Sequence, residues 1–373
     1  MKQDKVLYMA VKTADKPKET SSKAVAFDQR PQFTNGHLTQ RDLARLAGVS
    51  LTTVYNTLHD KDLVHQETRE KIHTLMKEYD YQPNGVARAM VRGKTEVLGV
   101  LVPRIDVRYF SEIVASIENS VNNSGYNCII CQHLDDMTKE EREIRMMRER
   151  RVDGMIIRAS GRREDAEIYQ RIVKSGIPVV LVDRKITGLE KYFVGMDGRR
   201  ASYEMTEYLI RKGHKRIAVT AWPEMTNWLG IRFEGYRQAL EWHNIEFDER
   251  LVAVCSNEYF TGHDETLEMM RRTEGQRPTA ILALSDSSVP GVVQAFMELG
   301  VRIPDDMALA TIGGQAEDVL GSLSRFRLTC ALPPFEAIGR EATRMLIDQI
   351  DGNRSWHHGP IYCPTQIRVG NSA

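Results

Sequence analysis

The sequence predicts an α/β protein, a doubly wound parallel-sheet body preceded by a small three-helix unit. Three observations carry this. From Val97 onward, short apolar runs alternate with amphipathic segments in a βα rhythm that continues to the helix ending at Ile350. That rhythm fills about 270 residues, which suits two sheets better than one. Ahead of it, residues 39–79 carry the caps and apolar spacing of three short helices.

Residues 1–36 mix Lys, Thr, Ser, Asp and Gln without a sustained period and end in the turn-prone RPQFTNG, so they are expected to form a flexible tail. The other reading of this segment is an arm that tracks DNA or binds a partner. At Thr39 the texture changes. Thr39 and Asp42 have the spacing of a capping box, Leu43, Leu46 and Ala47 supply an apolar stripe, and Gly48 stops the helix. Ser50 caps a second helix, with Val54 and Leu58 inward and Leu51, Thr52, Tyr55 and Asn56 outward. A third helix is expected over 68–79, with Ile72, Leu75 and Met76 at helical spacing. Three helices with a glycine turn between the first two make a helix-turn-helix unit, which presents the start of its second helix to a DNA groove. In the following segment, 81–95, Pro83 breaks the third helix, Asn84-Gly85 is turn-forming, and VARAMVR is too short to be a stable helix alone.

The body then reads strand by strand. VLGVLVP is a near-continuous apolar strand of the kind buried on both faces of a parallel sheet. A helix with Ile113, Val114, Ile117 and Val121 follows, then the strand NCIICQ, the charged helix KEEREIRMMRER and the strand GMIIRAS. Next come a helix over 165–175, the strand IPVVLVDR, a helix over 199–212 and the strand RIAVTAW. The second half continues with a helix over 232–243, a strand over 251–255, a helix over 262–272 and the strand AILALSD. A helix over 289–299, the strand MALATIG and a helix over 335–350 close the pattern. The expected domains are a tail (1–36), a headpiece (37–82), a hinge (83–95) and a two-lobed body (96–370).

Composition narrows the function. Fifty-one basic and fifty-one acidic residues cancel, but residues 1–94 hold sixteen Lys and Arg against eleven Asp and Glu, leaving thirty-five against forty in the rest. A modestly basic N-terminal module on an acidic body fits an anion-binding unit joined to a domain with another task. No run of about 18 uncharged apolar residues offers a membrane span, and the charged N-terminus does not read as a secretory signal. Five cysteines make no disulfide framework, and a cytoplasmic location is expected. Cys128 and Cys131 form a CxxC inside a predicted strand, where a separation of three places them on opposite faces, so no metal is expected. Neither a phosphate-cradling G-x-x-x-x-G-K-[ST], a dinucleotide G-x-G-x-x-G nor a G-x-S-x-G elbow is present, and no cofactor is expected.

The stretch LTQRDLARLAGVSLTTVYNTLHDKDLVHQETREKIHTLMKEYDYQPNGVARAM resembles the headpiece and hinge of the lactose-repressor (LacI/GalR) family of bacterial transcription regulators, and the similarity runs over roughly residues 38–370. The resemblance implies a homodimer whose headpieces read a near-palindromic double-stranded operator. It also implies a body like type I periplasmic sugar-binding proteins, taking a small-molecule effector such as a sugar or sugar derivative. Leu51, Thr52 and Asn56 occupy the family positions that meet base edges, and Thr39, Ser50 and Thr53 those that hold phosphates. Short hydroxyls at helix ends suit phosphate oxygens and exposed polar side chains suit major-groove edges, although Ser50 and Thr53 can equally be helix caps. Where relatives carry Ser-Arg after the TV pair, this chain has Tyr55-Asn56, exchanging a guanine reader for a residue better suited to adenine. In the hinge, Ala87, Arg88 and Met90 align with the minor-groove segment, with Met90 at the position that wedges between base pairs.

For the effector, the resemblance points to Tyr109, Phe110, Arg232 and Asp286, with Asp183, Arg184 and Asp197 as weaker candidates. All lie at or just beyond the carboxyl ends of predicted strands, where open α/β sheets bind ligands. An Arg and an Asp can hold vicinal hydroxyls of a sugar while an aromatic ring covers its apolar face. After the strand MALATIG, Gly314, Gln315 and Ala316 replace the family's aromatic-Asp-Asp, so that loop is expected to contribute differently or not at all. The function expected is a ligand-responsive regulator, acting as a repressor of carbohydrate-related genes. The alternatives are a sugar-binding sensor without specific DNA binding, and an α/β enzyme, which lacks a nucleophile or paired catalytic carboxylates.

Overall fold

The structure, a computed structural model, describes residues 38–59, 63–82, 89, 93–160, 166–221, 228–255, 262–316, 326–353 and 359–373. The chain divides into two compact units, Met1–Asn84 and Gly85–Ala373.

In the first unit, helices α1 (Gln40–Ala47), α2 (Leu51–His59) and α3 (Gln66–Glu78) pack around Leu43, Ala44, Ala47, Val54, Ile72 and Tyr81. Thr39 and Asp42 form the expected capping box: the Asp42 amide donates to Thr39 Oγ1 at 3.2 Å and the Thr39 amide to Asp42 Oδ2 at 3.1 Å. Gly48 ends α1 at φ +69, a left-handed conformation in which any side chain would be strained. This turn sets the angle at which α2 starts. So small a core is marginal on its own, and a cap of this kind contributes about 1 kcal/mol.

The second unit holds two six-stranded sheets. The first contains β1 (Val97–Val102), β2 (Asn127–Gln132), β3 (Gly154–Ile157), β4 (Val179–Val182), β5 (Phe193–Met196) and β11 (Ile361–Cys363), in the order β11-β5-β4-β3-β1-β2. The second contains β6 (Ile217–Ala221), β7 (Val252–Val254), β8 (Ala280–Ala283), β9 (Ala308–Ile312), β10 (Thr329–Leu332) and β12 (Gln366–Arg368), in the order β12-β10-β9-β8-β6-β7. Apart from the antiparallel β10–β12 pair, neighbouring strands are parallel. Helices α4 (Arg108–Asn123), α5 (Met137–Glu149) and α6 (Glu167–Lys174) follow β1, β2 and β3. In the second lobe α7 (Gly198–Arg211) precedes β6, while α8 (Trp228–Trp242), α9 (His263–Arg272) and α10 (Val289–Glu298) follow β6, β7 and β8. Helix α11 (Phe335–Ile350) packs back onto α4 and the first sheet. The chain therefore passes between lobes three times: after β5, after β10 and after β11.

Each sheet buries both faces. Leu98, Val100 and Val102 point to one core of the first lobe and Leu101 to the other; Ile217 and Val219 oppose Ala218 in the second. The period of two is that of a strand covered by helices on both sides. Cys128 joins one of these cores and Cys131 the other, which is the opposite-face placement expected of the CxxC. No helix among the described residues is long and apolar enough to cross a membrane.

Strands β5, β10, β11 and β12 are additions to the sequence reading, which places no strand there. They are three or four residues long, too short for a period to declare itself, and their pairing partners define them instead. The third helix starts at Gln66 and α8 at Trp228, before the expected 68 and 232.

Candidate functional site

In the helix-turn-helix unit, Ser50 Oγ caps the start of α2 by accepting the Thr53 amide at 3.0 Å, and the Thr53 hydroxyl lies 2.8 Å from it. Caps and phosphate contacts do not exclude each other, since a hydroxyl at a helix start retains lone pairs and the N-terminal dipole favours an anion. Leu51 and Tyr55 are large apolar side chains left exposed on α2; Thr52 is exposed and Asn56 half-buried. The inward face of α2 is filled by Val54 and Thr57, while Leu51, Thr52 and Tyr55 on its outward face stay exposed. Ala87, Arg88 and Met90 lie outside the described residues.

The second cluster lies at the carboxyl ends of the body strands. Both sheets have the strand order 2-1-3-4-5 in their own numbering, and the order reverses between β1 and β3 in one lobe and between β6 and β8 in the other. Ligands of open α/β sheets bind at such switch points. Tyr109 and Phe110 follow β1, in the first turn of α4. Arg232 sits in the first turn and a half of α8, after β6, and Asp286 opens a single 3-10 turn after β8.

The four expected effector residues and Asp183 divide into two linked groups. Tyr109 donates its hydroxyl to Asp183 Oδ1 at 2.6 Å, and its ring meets Phe110 and Phe335 edge-on, each at 5.3 Å. Burial, and then the Asp183 carboxylate, push the Tyr109 phenol well above its usual value. Asp183 also receives Arg158 Nε at 3.3 Å, while Arg158 Nη1 reaches Asp135 Oδ1 at 2.7 Å. The Arg158 guanidinium stands 5.2 Å over the Phe110 ring. In the other lobe, Asp286 Oδ2 accepts the Gln315 amide at 2.9 Å. Gly313 makes this possible: at φ +133, a Cβ on it would stand 2.3 Å from the Asp286 carboxyl carbon. The loop in which Gln315 replaces the family's acidic residue thus contributes its backbone. Burial raises the Asp286 carboxyl above its usual value.

Arg232 joins the groups. It is buried, donates Nη1 to the Leu284 carbonyl at 2.5 Å, and feels the charges of Tyr109, Asp183 and Asp286. Burial lowers its pKa to about 10, against the pull of those groups, so it stays charged at neutral pH. Of the weaker candidates, Arg184 donates to the Ser160 carbonyl at 2.6 Å, with its pKa lowered by burial and then by Arg158. Asp197 caps α7 by accepting the Arg200 amide at 3.0 Å, a structural use of its carboxylate.

Sequence reading missed Arg158 and Asp135, and it noted Gln315 only as a departure of its loop. Arg158 ends the apolar strand GMIIRAS, the same signal that marks Asp183 at the end of VVLVD. Gln315 Nε2 is buried with no hydrogen-bond partner among the described residues. Behind Arg158 lies His133, fully buried, with Nε2 at 2.8 Å from the Arg158 carbonyl and Nδ1 accepting the Asp135 amide at 3.0 Å. Only the neutral Nε2–H tautomer serves both contacts, and burial holds the pKa below the usual 6.5. Unfolding lets this ring take up a proton the fold refuses, so its contribution is intact above about pH 6.5 and lost as the pH falls toward the depressed folded value. Urea unfolding at several pH values between about 5 and 7 is expected to show a steeper loss of stability for the parent than for His133→Gln. Equal slopes would refute this role.

Comparison with known proteins covers both units. The profile of bacterial regulatory proteins of the lacI family matches residues 39–84, and that of periplasmic binding proteins and the sugar-binding domain of the LacI family matches residues 95–361. The HTH-type transcriptional regulator RegA of Clostridium saccharobutylicum is 31% identical over 312 residues, covering 82% of this chain and 91% of RegA. Among solved structures, the transcriptional regulator CelR in complex with cellobiose matches with a TM-score of 0.65 and 26% identity, over 90% of this chain and 100% of CelR. The lac repressor dimer bound to operator and an anti-inducer matches with a TM-score of 0.76 at 23% identity, over 90% of this chain and 99% of that one, a likeness of fold.

Proposed function

Because the chain belongs to the lacI family of bacterial regulatory proteins, a family of DNA-binding, ligand-responsive transcriptional regulators and not enzymes, we propose that it is a cytoplasmic homodimeric repressor of carbohydrate-related genes. Its target is a near-palindromic double-stranded operator, each half-site read by one headpiece. Leu51, Thr52 and Asn56 meet base edges, while Thr39, Ser50 and Thr53 hold backbone phosphates. The hinge residues Ala87, Arg88 and Met90 enter the minor groove, Met90 as the wedge.

The effector lies among Tyr109, Phe110, Asp183, Arg232 and Asp286, with Arg158 and Gln315 added by the geometry. The observation that carries this is Arg232, which is buried after β6 and feels the charges of Asp183, which follows β4, and Asp286, which follows β8. Among the described residues, three guanidinium groups (Arg158, Arg184, Arg232) stand with three carboxylates (Asp135, Asp183, Asp286), so these groups offer no excess of one charge for an ionic ligand. An uncharged polyol with an apolar face for the Tyr109 and Phe110 rings suits it, as cellobiose suits CelR.

The reading is tested by selecting duplexes from a randomised pool with the parent and with Asn56→Arg. The variant is expected to move preference toward guanine at one position in each half-site, by roughly 1–3 kcal/mol for a good bidentate pair. The same consensus from both proteins would remove Asn56 from the base readers, and no consensus from the parent would favour a sugar sensor without specific DNA binding.

A further inference from the structure

We propose that the body itself touches DNA, through a cluster of arginines at the amino end of its first sheet that grips the phosphate backbone flanking the hinge. The proposal rests on the regulator reading and extends it to a surface outside the headpiece and hinge.

The cluster lies where α5 ends and turns into β3. Helix α5 runs against the strand direction, so its last residues lie at the end of the sheet where the chain enters β1. That entry is fastened to the α5–β3 turn. The Thr95 amide and hydroxyl donate to Asp153 Oδ1 at 2.8 and 2.9 Å, the Glu96 amide donates to Asp153 Oδ2 at 2.8 Å, and Thr95 Oγ1 also meets the Arg151 carbonyl at 3.0 Å. Residues 151 and 153 are therefore tied to residues 95 and 96, where the body begins.

Arg145, Arg148, Arg150 and Arg151 are all exposed there, and none of them has a carboxylate in ion-pair range among the described residues. Other exposed arginines, such as Arg104, Arg200, Arg302 and Arg344, are held by an acidic neighbour, and those without one among the described residues, such as Arg41, Arg237 and Arg277, stand singly in the sequence where these four fall within seven residues. Of the carboxylates nearest in sequence, Asp153 is committed to the Thr95 and Glu96 amides, while Glu149 is exposed on the same turn and offsets one of the four positive charges, leaving an excess of three. A nearby cation, Lys94, is already paired with Asp351 at 2.5 Å.

Arg151 adds a second argument. It closes α5 at φ +55, the left-handed position after the C-cap that glycine or asparagine normally fills. An arginine there works against local preference, and such conflicts concentrate where function requires the side chain. Arginine is also the residue suited to phosphate, through its fixed fork of donors.

Residues 83–92 tether the headpiece to Gly93, at most about 35 Å when fully extended, and a long guanidinium reaches further. Phosphate contacts of this kind carry no sequence information. They raise affinity, and with it the salt dependence of binding.

The test uses the full chain and a duplex recovered by the parent from a randomised pool. Operator affinity is measured against salt concentration for the parent, for the combined variant Arg148→Gln, Arg150→Gln, Arg151→Gln, and for Arg151→Gly, whose backbone suits the left-handed turn. The combined variant is expected to lower the log–log salt slope of a dimer by roughly 2–5, at about 0.9 for each phosphate no longer neutralised, with the consensus unchanged and the two affinities converging at high salt. Arg151→Gly should lower the slope by about 1–2 while keeping the parent's thermal midpoint or exceeding it. Parental slopes in both variants, with melting unchanged, overturn the proposal. A parent that binds no duplex overturns the regulator reading instead.

Discussion

A chain shortened to residues 93–373 is expected to lose sequence-specific operator binding, by roughly a thousandfold or more, while retaining its effector. Deletion removes every base-reading candidate, Leu51, Thr52 and Asn56 in α2 and Met90 in the hinge, and leaves the cleft untouched. The shortened body should fold, because its four hydrophobic cores draw all their buried residues from Leu98 onward. The cut also preserves the Lys94–Asp351 pair and the Thr95–Asp153 bonds that anchor the entry to β1. Any DNA binding that survives should be weak, blind to sequence and abolished by moderate salt, as binding through phosphates alone is. Fluorescence anisotropy with the selected duplex measures the loss. A thermal-shift series against sugars and sugar phosphates, run on both proteins, measures the effector. A shortened chain that still bound that duplex with the parent's preference would place recognition outside the headpiece.

How much of this was legible in the sequence depended on whether the signal was local. The capping box at Thr39 and the left-handed Gly48 are local, so the first helices could be read from spacing alone. Strands such as Val97–Val102 and Val179–Val182 are apolar throughout and bounded by turns, hence visible. Phe193–Met196 is an isolated four-residue run outside the βα rhythm, and Gln366–Arg368 is mostly polar; each is defined as a strand by pairing across a long sequence separation, with Ile361–Cys363 and with Thr329–Leu332. The same limit governed the cleft. Tyr109, Arg232 and Asp286 could be placed through resemblance and through the rule that ligands collect at strand ends. Arg158 met that rule equally well, but its importance lies in partners 23 and 25 residues away, Asp135 and Asp183, which no spacing rule connects. The Gln315 loop shows the converse. Its side-chain change was visible in the sequence, while its contribution, a backbone amide on Asp286 allowed by Gly313, appears only in three dimensions.

Arg232→Ala is expected to weaken effector binding by roughly 2–3 kcal/mol, within the cost of losing a hydrogen bond to a charged group. The variant would deprive Asp183 and Asp286 of a buried positive charge that both feel, and Asp286, already raised by burial, would lose a charge that holds it ionised. Affinity for operator without effector should stay near the parent's, because Arg232 belongs to the cleft and none of the base-reading candidates depends on it. The two measurements together test the coupling. If effector binding changes the spacing of the lobes, and with it the hinges of the dimer, then effector and operator must alter each other's affinity by the same factor. Titrating operator affinity against effector, in the parent and in Arg232→Ala, should therefore give two curves with the same starting point. The variant's curve should be displaced to higher effector concentration by roughly thirtyfold or more, the equivalent of 2 kcal/mol. The limiting change reached at saturation is the coupling free energy, and it should be retained insofar as Arg232 holds the ligand equally in both lobe arrangements. A smaller limiting change would show that Arg232 binds the ligand preferentially in one of them, and would make it part of the switch. Superimposable curves would show that the effector does not bind between Tyr109, Asp183 and Asp286.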